Sequence, residues 1–220
     1  MTLTSASLLS TLVDYQGGKG MFSQEICRAR DNLRRRYDSG RIDYMEGSRQ
    51  ALELWAAGLA GYNYEDLVGD TVRFLENHMD IFYPYFGEAL AFSSKTHDFY
   101  LVTANFDFAA EAVGRIFPIT GFAATRLVVE NGICAGRLEN SLASSLAKGE
   151  AARGLLKDHS RDGSLALGDT ENDIGMLKEA AHPLCVDANK HLKEAAVEFG
   201  WKVINHKDAA DEIKKFLGKL

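Results

Sequence analysis

The sequence predicts an α/β fold, a mostly parallel sheet with helices on both faces, entered through a helical region. Two observations predict the order. Residues 1 to about 95 carry almost only helical signals, and after Lys95 short apolar runs of strand length alternate with helical patterns, as in βαβ units. A third sets the scale: 220 residues, 46% hydrophobic and 10% aromatic, suffice for a substantial core in one domain or one domain plus an insert. A net charge of −6 argues against general binding to nucleic acid or an anionic membrane, while leaving room for a local basic pocket. Cys27, Cys134 and Cys185 are few and widely spaced, and read as small buried hydrophobes in a reducing compartment. Ser5 to Val13 lacks the basic start of a signal peptide, and no apolar run approaches the ~20 residues of a membrane span, so a cytoplasmic protein is expected.

The elements come in this order. Ser23 caps a helix through about Tyr37 that carries Arg28, Arg30, Arg34, Arg35 and Arg36, and Asp38-Ser39-Gly40 breaks it. Asp43 to Leu59 places Met45, Ala51, Leu54 and Trp55 at helical spacing and ends near Gly58 and Gly61. Asn63 begins a helix with Leu67, Val68, Val72, Phe74 and Leu75, and Pro84 opens another over Tyr85 to Ser94. Asp98 to Thr103 reads as a buried strand, followed by a helix from about Asp107 to Phe117. Gly121 to Val129 and Ile133 to Leu138 are extended segments joined by a turn at Asn131-Gly132. Lys148 to His159 is helical. Leu165-Ala166-Leu167 is a buried strand ended by Gly168, and an amphipathic helix comes next with Ile174, Met176, Leu177 and Ala180 on its apolar side. Strands at Pro183–Asp187 and Lys202–Ile204 alternate with helices at Lys190–Phe199 and Asp208–Leu217.

The chemistry concentrates at Gly168-Asp169-Thr170-Glu171-Asn172-Asp173. Asp169 and Asp173 sit at the carboxyl end of a strand, where open α/β sheets bind ligands. Two carboxylates across such a turn can converge on one hard cation such as Mg²⁺, or serve as a helix cap and a first-turn acid. Thr103 ends another strand and Lys148 opens a helix. A hydroxyl, an ammonium and an acid pair are what phosphoryl transfer requires, because the first two hold phosphate oxygens and a cation neutralises charge.

Leu101-Val102-Thr103-Ala104-Asn105, then Lys148, then Gly168 to Asp173 resemble the second, third and fourth motifs of the haloacid dehalogenase superfamily, in its phosphoserine-phosphatase-like branch. Gly121 to Leu127 with Asn131-Gly132 and Gly136-Arg137 resembles that branch's β-hairpin segment, and Ala188 to Leu192 through Gly200-Trp201 its tail. Lys148-Gly149-Glu150 fits the third motif, although Arg153 or Lys157 can be aligned instead. The resemblance implies a Rossmann-like core over 1–15 and 95–220, a helical cap over 16–94, and Mg²⁺-dependent hydrolysis of a small phosphorylated metabolite. It implies catalytic roles for Thr103, Lys148 and Asp173, and substrate contacts from Thr103, Ala104, Asn105 and Lys148. Asp169 and Asp173 become metal ligands, Asp173 alternatively the orienter of Lys148, with Asn105 and Asn172 as secondary candidates.

In that family an Asp-x-Asp motif at the end of the first strand supplies the nucleophile and the acid, and none occurs in these 220 residues. Met1-Thr2-Leu3-Thr4-Ser5 is similar to the end of that motif, with Thr2 as its threonine and Met1 as its variable residue. Two expectations result: the sheet lacks its first, central strand, and hydrolysis is weak. A misplaced start and a catalytically inactive relative that binds phosphate ligands or a partner protein both remain open. A third reading makes the arginines of 28–36 an interaction surface.

Overall fold

Side-chain caps begin most of the helices, as the computed structural model shows over the residues it describes, 2–93 and 96–218. Helix α1 (Leu8–Gly18), not delimited in the sequence, starts at Ser7, whose hydroxyl accepts from the Ser10 N–H. Ser23, Asp43 and Asn63 cap α2 (Gln24–Asp38), α3 (Tyr44–Gly58) and α4 (Tyr64–Glu76) in the same way, and α5 (Pro84–Ser93) opens on its proline. Met1, the 94/95 boundary between cap and core and the expected helix end at Ser94 lie outside the described residues.

Strand β1 (Tyr100–Phe106) leads into α6 (Asp107–Ile116) and returns as β2 (Gly121–Thr125), parallel to β1. Residues 121–129, expected as one extended segment, divide at Arg126. Its N–H donates to Asn140 Oδ1 at 2.8 Å while the Thr125 hydroxyl donates back to the Ala104 carbonyl, so the chain leaves the sheet there. It then forms an antiparallel hairpin of β3 (Leu127–Glu130) and β4 (Ile133–Leu138). The hairpin turn is the expected one, with Asn131 and Gly132 both at positive φ.

Helix α7 (Ser145–Leu155) starts three residues before Lys148 because Ser144 caps it, so Lys148 lies in its first turn. Then come β5 (Leu165–Gly168), a 3-10 turn over Glu171–Asp173, α8 (Ile174–Glu179), β6 (His182–Val186), α9 (Lys190–Phe199), β7 (Lys202–Ile204) and α10 (Ala209–Leu217). β5, β6 and β7 form a parallel sheet in that order.

Two corrections concern the sheet. The expected single sheet is two parallel ones, β1-β2 and β5-β6-β7, and among the described residues no strand pairs β1 with β5. The strands expected to be buried are accordingly only half-buried, from Tyr100 to Ala104 and from Leu165 to Leu167.

Leu165 and Leu167 pack with Tyr85 and Ala89 of α5 and Ile213 of α10, while Ala166 packs on the opposite face with Leu177 of α8 and Leu192 of α9. Thus α5, grouped with the cap in the sequence, rests on the sheet. The largest cluster joins the helical layer to the sheet: Leu12, Leu52, Trp55, Leu67 and Phe74 share it with Phe106 and Phe108. Trp55 meets Phe106 edge-on with ring centroids 4.8 Å apart and donates to the buried Gln16 carbonyl at 2.7 Å. The hairpin is tied to the α3–α4 connection through main chain: Cys134 N–H to the Tyr62 carbonyl, Gly61 N–H to Cys134 and Tyr64 N–H to Gly132. Cys134 and Cys185 are buried, as expected, whereas Cys27 on the exposed α2 is only half-buried.

Candidate active site

Asp173 organises the site. It ends a turn so tight that a Cβ on Gly168 would lie 2.5 Å from the Asp173 Cβ, so only glycine lets the turn fold back over the strand end. Its Oδ2 accepts from the main-chain N–H groups of Asp169 at 2.9 Å and Thr170 at 3.0 Å, and from the Thr170 hydroxyl at 3.3 Å. Its Oδ1 takes the Lys148 ammonium at 2.6 Å, with both side chains buried. Burial alone pushes the Asp173 carboxyl up, but the Lys148 charge and hydrogen bond and the two amides outweigh it and hold the carboxyl below its usual range. Both Asp173 oxygens are thus engaged, so a metal on Asp173 would have to displace the amides or the lysine.

A close helix crossing sets where Lys148 stands. A Cβ on Gly175 would fall 1.9 Å from the Ser145 carbonyl oxygen, and one on Gly149 would fall 3.1 Å from the Gly175 carbonyl carbon. The Gly175 N–H also donates to Ser145 Oγ at 2.8 Å. Ser145 and Gly175 escaped the motif reading, which took Gly149 only as the neighbour of Lys148 in the third motif. The signal present was glycine inside two helical patterns, which is unfavourable unless close approach requires it.

Asp169, just past the end of β5, receives the Thr2 hydroxyl on Oδ1 at 2.5 Å, which brings the amino-terminal segment to the carboxyl edge of the sheet. Thr103, Ala104, Asn105, Lys148, Asp169 and Asp173 all line one cleft of about 680 Å³, together with Thr2 and, from α3, Tyr44. Thr103 Oγ1 accepts the Asn105 N–H at 3.1 Å, leaving its own O–H to donate, while Asn105 Oδ1 accepts from the Phe106 N–H. The Ala104 carbonyl accepts the Thr125 hydroxyl at 2.8 Å. Arg153 pairs with Glu179 instead of joining the cleft residues, which favours Lys148 over it as the third-motif cation.

For Mg²⁺, Asp169 is the hard donor at hand. Among the described residues no three His, Cys, Asp or Glu side chains gather into a group able to hold a metal. Asn172 Oδ1, buried in the cleft wall, has no hydrogen-bond partner among the described residues. Mg²⁺ is commonly held by one or two carboxylates with water and substrate phosphate completing the shell, and Asp169 with the Asn172 carbonyl fits that minimal set.

A model of the haloacid dehalogenase-like hydrolases matches residues 1–178. The chain belongs to this family. A second model of haloacid dehalogenase-like hydrolases matches residues 141–217. The phosphoserine phosphatase of Methanocaldococcus jannaschii is 31% identical over 98 residues, which are 44% of this chain and 46% of that enzyme, so the match spans just under half of the relative's length. A Bordetella pertussis protein of unknown function shares the fold with a TM-score of 0.76 at 21% identity, over 93% of this chain and 94% of that one. A probable phosphoserine phosphatase from Vibrio cholerae does so with a TM-score of 0.64 at 15% identity, over 88% of this chain and 58% of that one. No helix of this family member, among the described residues, is long and apolar enough to cross a membrane.

Proposed function

We propose that this family member binds a small phosphomonoester in the cleft at the carboxyl ends of β1 and β5, with Mg²⁺ beside Asp169, and hydrolyses it. The observation that carries the reading is the buried Lys148–Asp173 pair, which holds an ammonium at the cleft that Thr103 and Asp169 also line. Asp173 fixes the direction of the Lys148 ammonium, so little side-chain entropy is lost when it takes a phosphate oxygen. The Thr103 hydroxyl and the Ala104 N–H offer further donors to the same oxygens. Bound Mg²⁺ would neutralise charge on the phosphate and so ease attack at phosphorus. Substrate identity then falls to the residues that reach the cleft from the helical layer, Tyr44 foremost.

The absence of any Asp-x-Asp in these 220 residues favours a second reading, a phosphate-ligand-binding protein without turnover. One experiment separates the two. Hydrolysis of p-nitrophenyl phosphate in Mg²⁺ is measured alongside calorimetric binding of inorganic phosphate, in the unaltered chain and in Lys148→Met. Turnover abolished by Lys148→Met supports the hydrolase. Phosphate binding without turnover, lost in Lys148→Met, supports the binding protein. Binding and turnover both unchanged in Lys148→Met overturn the site itself.

A further inference from the structure

Tyr85 stands in the first turn of α5 and is 5% exposed. Its ring lies in an apolar cluster with Ala89 of the same helix, Val186 of β6, and Ala209 and Ile213 of α10. Leu3 and Leu167 pack against that cluster. Such surroundings ask for a ring and not for a hydroxyl, and nearby Phe82 and Phe86 are buried with rings alone. Yet Tyr85 carries an oxygen that has no hydrogen-bond partner among the described residues. A buried hydroxyl gives up its bonds to water on folding, and nearly all such groups are paired again inside the protein. Phenylalanine here would pack as well and avoid that loss, so packing does not account for the oxygen.

Its place in the fold does. Tyr85 lines the same cleft as Thr103, Lys148 and Asp169. A run of bonds ties its turn to the carboxyl edge of the sheet: the Tyr83 N–H donates to the Leu3 carbonyl at 2.9 Å, and Thr2 donates to Asp169 Oδ1. Leu3 follows Thr2 and Leu167 precedes Asp169 by two residues, so the cluster that holds the Tyr85 ring adjoins the acid. Burial, and next the negative charge of Asp169, keep the phenolic proton on more firmly than usual. At neutral pH the group is therefore a donor and not a base, and it carries no charge to repel an anion.

We propose that the Tyr85 hydroxyl is a further donor to the bound phosphate group, reaching one of its oxygens from the α5 side of the cleft while Lys148 and Thr103 reach others. The inference rests on the reading that this cleft binds a phosphate group. A hydrogen bond to a charged oxygen is about twice as strong as one between neutral groups, and this one forms only when the ligand arrives. The apolar socket keeps the donor ready, at some expense to the stability of the empty chain.

Tyr85→Phe removes the oxygen and leaves the ring. Urea unfolding without ligand and calorimetric titration with inorganic phosphate in Mg²⁺ are measured on the unaltered chain, on Tyr85→Phe and on Lys148→Met. The expected result for Tyr85→Phe is an unfolding midpoint equal to or above that of the unaltered chain, with phosphate affinity lowered at least about tenfold. A role in the empty fold alone would lower the midpoint and spare the affinity, which would overturn the proposal. Affinity unchanged in Tyr85→Phe but lost in Lys148→Met would overturn the assignment of Tyr85 and leave the phosphate site standing. No phosphate binding by the unaltered chain would overturn both. Should Tyr85→Phe fail to fold, the unaltered chain with ¹³Cζ-labelled tyrosine carries the same test. The tyrosine resonance in contact with Ala89 and Ile213 is expected to shift as phosphate is added, and one that stays in place would overturn the proposal.

Discussion

Asp173 makes four hydrogen bonds with two oxygen atoms, and three of them fold its own turn into shape. The fourth makes it depend on Lys148. Lys148→Met leaves that carboxylate buried without its counter-charge, an arrangement that costs about 3–5 kcal/mol. Urea unfolding is expected to register a loss of that size, and adding Asp173→Asn to the same chain should recover part of it. Asp107 behaves differently. It is buried at the start of α6, and desolvation lifts its carboxyl to about 6 despite hydrogen bonds from the Phe108 and Leu127 amides. The folded chain thus holds this proton more tightly than the unfolded one, where the ordinary value is 3.8. The resulting stability is complete below about pH 4 and is lost as pH rises through about 6, amounting to roughly 3 kcal/mol. Unfolding free energies measured from pH 4 to pH 7 should show this fall in the unaltered chain and not in Asp107→Asn.

At the scale of elements, the α7–α8 crossing is the sensitive joint, because backbone approaches backbone there with only the Ser145 hydroxyl beside the contact. Gly175→Ala must push Ser145 away, and overpacking of this kind costs about 1–3 kcal/mol. Because Lys148 rides on α7 and Asp173 precedes α8, the same change should weaken phosphate binding along with stability. A denaturation curve and a phosphate titration on one preparation test both. The elements also show where the sequence was legible. Helix starts were, since Ser23, Asp43 and Asn63 announce them through local chemistry that needs no distant partner. The split at Arg126 was not, because the alternation of apolar residues runs through it and its cause, Asn140, lies fourteen residues away. The early start of α7 was legible in Ser144 and was overlooked beside the lysine motif.

For the molecule as a whole, the motifs located the cleft because each lies at a strand end or in the first turn of a helix, which local sequence can signal. They could not show that the sheet divides between β1 and β5, which is a matter of pairing and not of local pattern. Nor could they show that the helical layer and the sheet share a hydrophobic cluster. That cluster predicts one cooperative transition. Far-ultraviolet circular dichroism, which weighs all the helices, and tryptophan fluorescence, which reports Trp55 between the two parts and Trp201 beside the α8–α9 cluster, should give coincident unfolding curves. Separate midpoints would mean that the layers unfold independently. The main-chain ladder between the hairpin and residues 61–64 also sets which end of α3 is tied down. It stitches the helical layer down at the carboxyl end of α3 through main-chain groups, which no substitution short of proline removes. The other end of that helix, at Tyr44, lies about 20 Å away beside Thr2 and Asp169. The ladder therefore anchors α3 at the end remote from the cleft, while Tyr44 stands at the end that borders it.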